Sequence, residues 1–132
     1  MTFLWIAIGM LVFLAVVVMV VVLLKTRRRG LSPASKSKIE KSLQQAVLQQ
    51  DPVRRVIAVD TVLDLALKEL GFGGSLGDKL KKAGPRIPNI QAVWEAHKLR
   101  NRMAHEHDAN VNQAEVDRAV RILEHAIRTL SA

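Results

Sequence analysis

Two side chains suited to acid-base and anion-binding chemistry lie close together in the segment WEAHKLRNRMAH, which ends at His105. Imidazole titrates near neutral pH, so His105 could take up or release a proton under cellular conditions. The guanidinium of Arg100 is permanently charged and offers a fixed fork of donors that suits phosphate oxygens. The segment therefore indicates a site with a function, rather than a face that only packs.

The segment is periodic enough to predict a helix with three distinct sides, at about 100° per residue. One side is polar and solvated: Gln91, Glu95, Lys98 and Arg102. A second side is apolar: Ala92, Ala96, Leu99 and Met103. The third mixes apolar and polar residues: Ile90, Val93, Trp94, His97, Arg100, Asn101, Ala104 and His105. Polar groups on a side that also packs need hydrogen-bond partners or a chemical role.

One helix does not assemble these groups into a compact site. Asn101 and His105 are four residues apart and share a face, whereas Arg100 is about 140° away from His105. A dimer with two facing segments would supply the missing groups. We therefore expect a homodimer if the segment is catalytic.

Arg100 and Asn101, followed after a short spacer by His105, resemble the Arg-(Asn/Asp/His)-spacer-His motif of the HEPN superfamily. These all-helical domains are often metal-independent ribonucleases. The resemblance covers roughly residues 38 to 131 and includes the place of the motif, late in the penultimate helix. It implies that His105 transfers protons at the RNA 2′-hydroxyl or the leaving oxygen, that Arg100 holds the scissile phosphate, and that Asn101 orients the site. It also implies that two protomers bring their motifs together.

A structural interpretation of the same residues stands beside the catalytic one. Asp60 and Asp64 lie one turn apart among apolar residues of the second helix of the expected domain. A carboxylate in such surroundings usually forms an ion pair, and we expect Arg100 as the partner, with Lys68 as a local alternative for Asp64. His105 would complete the network, as in catalytically silent HEPN members, with His97 as a further supporting residue.

Two functions follow from these interpretations. The first is a membrane-anchored HEPN-like interaction module or regulator with a protein or nucleotide-bearing partner. The alternative is a membrane-tethered, metal-independent endoribonuclease of the toxin or defence type. The sequence favours the first.

Metal and cofactor chemistry are not expected. His97, His105 and His107 do not have the spacing of a ligand set, and the chain has no cysteine. The glycine-rich segment 71–77 lacks the lysine and hydroxyl of a phosphate-binding loop, so we interpret it as a turn.

The N-terminus predicts a transmembrane helix. Residues 3–24 form an unbroken apolar run, long enough for a hydrocarbon layer of about 30 Å. No basic residue precedes the run and no small-residue cleavage site follows it, so we expect an uncleaved anchor. The basic cluster after the run predicts a short N-terminus outside and a cytoplasmic C-terminal domain. The cluster, which could also bind anionic lipid but is more simply a stop-transfer flank, comprises Lys25, Arg27, Arg28 and Arg29.

The formal net charge of +8 lies entirely after this run, since residues 1–24 contain no charged side chain. Such a charge favours RNA and anionic lipid alike. The expected organisation is an anchor with its basic flank in residues 1–29, a linker in 30–37 and a HEPN-like domain in 38–132. The fold class is all-α, with one transmembrane helix followed by an antiparallel bundle of four to five helices.

Overall fold

A computed structural model describes residues 1–26, 30–106 and 110–132 of the 132-residue chain. The described residues form helices and no strands, which confirms the predicted all-α class. The helices are α1 (Thr2–Thr26), α2 (Pro33–Val47), α3 (Pro52–Glu69), α4 (Leu76–Ala83), α5 (Ile90–His105) and α6 (Gln113–Ser131), with a 3-10 turn at Gly84–Arg86. Four residues of the sequence predictions lie outside the described residues: Arg27, Arg28, Arg29 and His107.

The N-terminal helix α1 is apolar on every side. Its segment Thr2–Leu23 is 22 residues long and none of it is buried. At about 1.5 Å per residue it is roughly 33 Å long, which matches a hydrocarbon layer of about 30 Å. This helix is therefore long and apolar enough to span a membrane.

The bundle begins earlier than the sequence predicted. Helix α2 starts at Pro33, inside the segment 30–37 that was interpreted as a linker. The Ser32 hydroxyl accepts a hydrogen bond from the Ser35 backbone N–H at 3.1 Å, and Pro33 occupies the first turn. A serine cap followed by proline is a helix start, so the predicted linker 30–37 is too long by residues 33–37.

Helix α3 lies at the centre and packs against α2, α4, α5 and α6. The relative directions follow from contacts between helix ends. Ser35 at the start of α2 meets Glu69 at the end of α3, so these two helices are antiparallel. Arg55 near the start of α3 meets Asp117 near the start of α6, so this pair is parallel.

The core forms where the apolar stripes of these helices meet. Helical spacing in the sequence predicts an apolar stripe on α6, and all of it is buried: Val116, Ala119, Val120, Leu123, Ala126, Ile127 and Leu130. The same spacing predicts a wider stripe on α3 from Val53 to Leu70, and most of it is buried as well, but Val53 is 38% exposed and Ile57 is only half-buried. These two residues share a side of α3 with the exposed Thr61, one turn after Ile57. Their prediction as core residues is wrong, because no described residue covers this side of α3.

Local signals end α3 and start α4 as the sequence predicts. Gly71 adopts φ 93°, the left-handed conformation common after a helix, and its N–H donates to the Lys68 carbonyl. Ser75 and Asp78 then form a reciprocal capping box at the start of α4. Asn89 before α5 has the residue type of a helix cap, and the sequence predicts that role. The prediction is wrong, because the Asn89 backbone is left-handed and its side chain makes no capping hydrogen bond.

Candidate functional site

The buried carboxylate of Asp60 holds the imidazole of His97. Asp60 is on α3, and its side chain is 4% exposed. The Nδ1 atom of His97, on α5, lies 3.1 Å from each carboxylate oxygen. A nitrogen this close to a carboxylate donates to it, so the contact favours a ring with the proton on Nδ1.

Arg100 reaches the same carboxylate from the next turn of α5. Its Nε atom lies 3.4 Å from Asp60 Oδ2, which is the ion pair that the sequence predicted. The geometry is that of a charge contact, because the buried Nε atom has no hydrogen-bond partner among the described residues. Arg100 Nη1 meanwhile donates to Asn101 Oδ1 at 3.0 Å.

Asn101 contacts the same histidine, His97. Its Nδ2 atom lies 3.4 Å from His97 Nε2, the ring nitrogen that is free to accept when Nδ1 carries the proton. Asp60, His97, Arg100 and Asn101 therefore contact one another within one protomer. We refer to these four residues as the Asp60 cluster.

His105 is not part of this cluster. It is the last residue of α5, it is exposed, and its side chain forms no hydrogen bond with a described residue. It lies about 7.5 Å further along the helix axis than Arg100 and about 140° around it. The expectation that His105 completes the polar network was wrong. His97 takes that position, and its spacing of three residues from Arg100 and four from Asn101 was the available signal.

Asp64 has a different partner from the one expected. Its Oδ1 atom accepts a hydrogen bond from Lys79 Nζ at 2.7 Å, and the lysine is 5% exposed. The predicted pairings with Arg100 or Lys68 were therefore wrong. Lys79 is on α4, and only the return of the chain through segment 70–75 brings it back to α3. The sequence pattern of one helix does not contain that information.

An open cavity of about 240 Å³ adjoins the cluster, lined by Asp60, Thr61, Asp64, Leu76, His97 and Arg100. A small polar molecule fits such a volume. Each carboxylate here is matched by one cation, Asp60 by Arg100 and Asp64 by Lys79, so the cavity has no excess positive charge to attract an anion. The rings of Trp94 and His97 lie at 68° to each other, with 6.2 Å between their centroids.

The chain gives no match to protein-family models, to curated proteins or to solved structures. The HEPN resemblance therefore rests on the motif at Arg100, Asn101 and His105 and on the order of the helices around it.

Proposed function

We propose that this chain is a membrane-anchored HEPN-like interaction module whose helical bundle meets its partner at the cytoplasmic surface. In this proposal α1 spans the bilayer with a short N-terminus outside, and the basic residues after it retain the bundle on the inner side. The observation that carries the proposal is the engagement of Arg100 and Asn101 inside one protomer.

A phosphate clamp needs a guanidinium with its donors free for the ligand. The Nε atom of Arg100 instead lies against Asp60, and Nη1 donates to Asn101. The Arg100 side chain is 28% exposed, so most of its surface packs within the bundle. These contacts support a role in joining α5 to α3, which suits a rigid module better than a reacting site.

One observation favours the ribonuclease as a second candidate. His105 is exposed at the end of α5 and is not held by any described residue. The uncovered side of α3 at Val53 lies nearby, since Val53 and Ala104 line the same cavity. A homodimer through this side would bring two His105 side chains toward each other, and RNA would be the substrate.

A cleavage assay separates the two functions. The full chain, reconstituted in lipid nanodiscs, is incubated with labelled RNA in the presence of a chelator. The matched variants are His105→Ala and His125→Ala, since both histidines are exposed and on helices. For an interaction module we expect the wild type to cut no more RNA than His105→Ala does.

Cleavage by the wild type and by His125→Ala, with loss in His105→Ala, would establish the enzyme instead. General acid-base help of this kind is worth about 10² to 10⁴ in rate, so the difference is easily measured. In that case Val53→Asp should abolish cleavage together with the dimer, measured by mass photometry of the nanodiscs.

A further inference from the structure

The end of the bundle where α2 begins carries exposed lysines on three helices. Lys36 is in the first turn of α2, Lys68 in the last turn of α3, and Lys81 in the last turn of α4. We refer to these three residues as the lysine surface. None of the three forms an ion pair with any residue in the described ranges.

Contacts between the helices place these turns at one end. Ser35 and Lys38 of α2 bind Glu69, the residue after Lys68, at 2.7 and 3.2 Å. Helix α4 packs along the C-terminal half of α3 through Lys79 and Asp64. The lysine surface is therefore a property of the fold, because its members are up to 45 residues apart in sequence.

The carboxylates at this end already have partners. Glu69 accepts from the Ser35 hydroxyl and from Lys38, and Asp78 accepts from Ser75 in the capping box. Glu40 contacts Arg128 on α6. Asp78 is hydrogen-bonded to a neutral residue and keeps its charge, but this single negative charge does not offset the three positive charges of the lysine surface, which keeps a positive excess.

The opposite end is balanced by comparison. It also bears exposed arginines, Arg54, Arg102 and Arg118, without ion pairs in the described residues. Exposed carboxylates accompany them at this end: Asp51, Glu106 and Glu115. Positive charge is in excess at the lysine surface and nearly balanced at the opposite end. An anionic membrane surface should therefore attract the lysine surface more strongly.

Chain length places the same end near the membrane. Seven chain steps lead from Thr26, where α1 ends, to Pro33, where α2 begins, and they span at most about 25 Å. Helix α2 therefore starts close to the surface of any bilayer that α1 spans. The first turn of α2 includes Lys36, so the tether and the uncompensated charge are at the same end.

We propose that the lysine surface binds the anionic headgroups of the bilayer in which α1 is anchored, and so holds the bundle in one orientation. The inference rests on the proposed membrane anchor. Docking in this way presents the opposite end, with His105 and the start of α3, to the cytoplasm. Exposed lysines near an anionic leaflet are attracted over about a Debye length, so the binding is sensitive to salt.

The test uses the absence of cysteine from the chain. A fluorophore is attached to the full chain at Ser37→Cys beside the lysine surface, or at Ala114→Cys at the opposite end, both of which are exposed. The labelled chains are placed in nanodiscs of phosphatidylcholine, with or without phosphatidylglycerol, that contain a spin-labelled headgroup as quencher. We expect stronger quenching at position 37 in the anionic discs than in the neutral ones at low salt, and little quenching at position 114 in either.

Two charge-matched triple variants make the test specific. Lys36→Gln with Lys68→Gln and Lys81→Gln removes the lysine surface, while Arg54→Gln with Arg102→Gln and Arg118→Gln removes equal charge at the other sites. At about fivefold per basic residue near the surface, the lysine variant should lower the ratio of docked to free bundle by on the order of a hundredfold. Quenching at position 37 should then fall to its value in neutral discs, and the arginine variant should keep it.

The failures are distinguishable. A chain that does not co-elute with the discs overturns the anchor and the docking with it. A chain that co-elutes, but shows the same quenching at position 37 in neutral and anionic discs, overturns the docking alone. Equal loss in both triple variants also overturns it, since net charge and not the lysine surface would then be responsible.

Discussion

Lys79 Nζ lies 2.7 Å from Asp64 Oδ1, although the lysine side chain is almost fully buried and the aspartate side chain is 38% exposed. The two partners therefore depend on the pair to different degrees. Water can replace the lysine around Asp64, whereas the ammonium of Lys79 has little access to water. Loss of the carboxylate should cost more than loss of both charges together.

Asp64→Asn should destabilise the bundle by about 1 to 3 kcal/mol, because it leaves the Lys79 ammonium with a weaker neutral partner. Addition of Lys79→Met should recover at least half of that loss, since it removes the buried charge and keeps the apolar stem. Chemical denaturation of both variants measures the two free energies of unfolding. A double variant less stable than Asp64→Asn would show that the ion pair is not the reason for the loss.

Arg100→Ala should cost about 1 to 3 kcal/mol in the free energy of unfolding. It removes one partner of the buried Asp60 carboxylate, but His97 continues to donate to it. Arg102→Ala is the matched control on the same helix, because Arg102 is exposed and should change stability by no more than about 0.5 kcal/mol. Equal values for the two variants would mean that the Asp60 cluster does not join α3 to α5.

Leu63→Ala and Leu123→Ala should each cost about 2 to 5 kcal/mol, since both side chains are fully buried where α3 and α6 pack together. Leu48→Ala is the control, because Leu48 is 77% exposed beyond the end of α2. Thermal or chemical unfolding provides the comparison. A near-zero change at both core positions would contradict the packing of α3 against α6.

The contacts that join α2 to α3 at Glu69 should stabilise the bundle less at acid pH. The Ser35 hydroxyl, and then Lys38, lower the pKa of Glu69 below its ordinary value of 4.5. A depressed carboxyl pKa stabilises the fold above the unfolded value, and this contribution disappears as the pH falls through the folded value. Wild type should therefore be more stable than Glu69→Gln at neutral pH, and the two should converge below about pH 4.5.

Ser35→Ala is the control for this pH dependence. It removes the largest cause of the low pKa of Glu69, so convergence with its own Glu69→Gln double variant should be complete at a higher pH than in the wild-type background. Urea unfolding at a series of pH values gives both curves. A stability difference that is independent of pH in this acid range would contradict the role of the ionised Glu69.

The orientation of α1 is testable with reporters fused after Ala132. We expect green fluorescent protein to be fluorescent there and alkaline phosphatase to be inactive, as for a cytoplasmic C-terminus. Replacement of Lys25, Arg27, Arg28 and Arg29 by Gln should weaken this preference. Active phosphatase on the wild-type chain would reverse the proposed topology.

The sequence alone predicted those parts of the fold that depend on periodicity and local caps. The stripe of α6 is buried as predicted, and Asp51 with Pro52 starts α3, the carboxylate of Asp51 accepting from the Arg54 N–H at 2.8 Å. Long apolar composition likewise identified α1. These signals are contained within one helix or its first turn, so neighbouring elements do not alter them.

The candidate site was predicted only in part, because its contacts join different helices. Asp60 and Arg100 were matched correctly by charge and burial. Which of the two histidines, His97 or His105, lies beside Asp60 depends on how far α5 extends beyond the part that packs against α3. The choice of Lys79 for Asp64 depends on the turn that returns α4 to α3. The helical period of a single segment predicts neither the extension of α5 past α3 nor the turn before α4.

The Asp60 cluster also determines the register of the bundle. Apolar helix surfaces tolerate sliding, since one leucine packs much as another does. The Asp60 carboxylate does not tolerate sliding, because it contacts two side chains that are three residues apart on α5. A slide of α5 by one turn would replace His97 by Val93 or Trp94 in one direction, and Arg100 by Met103 or Ala104 in the other. Either slide removes at least one of the two partners of the buried carboxylate, which is strongly unfavourable. Asp60 therefore favours one axial register of α3 relative to α5 among several that hydrophobic packing alone would allow.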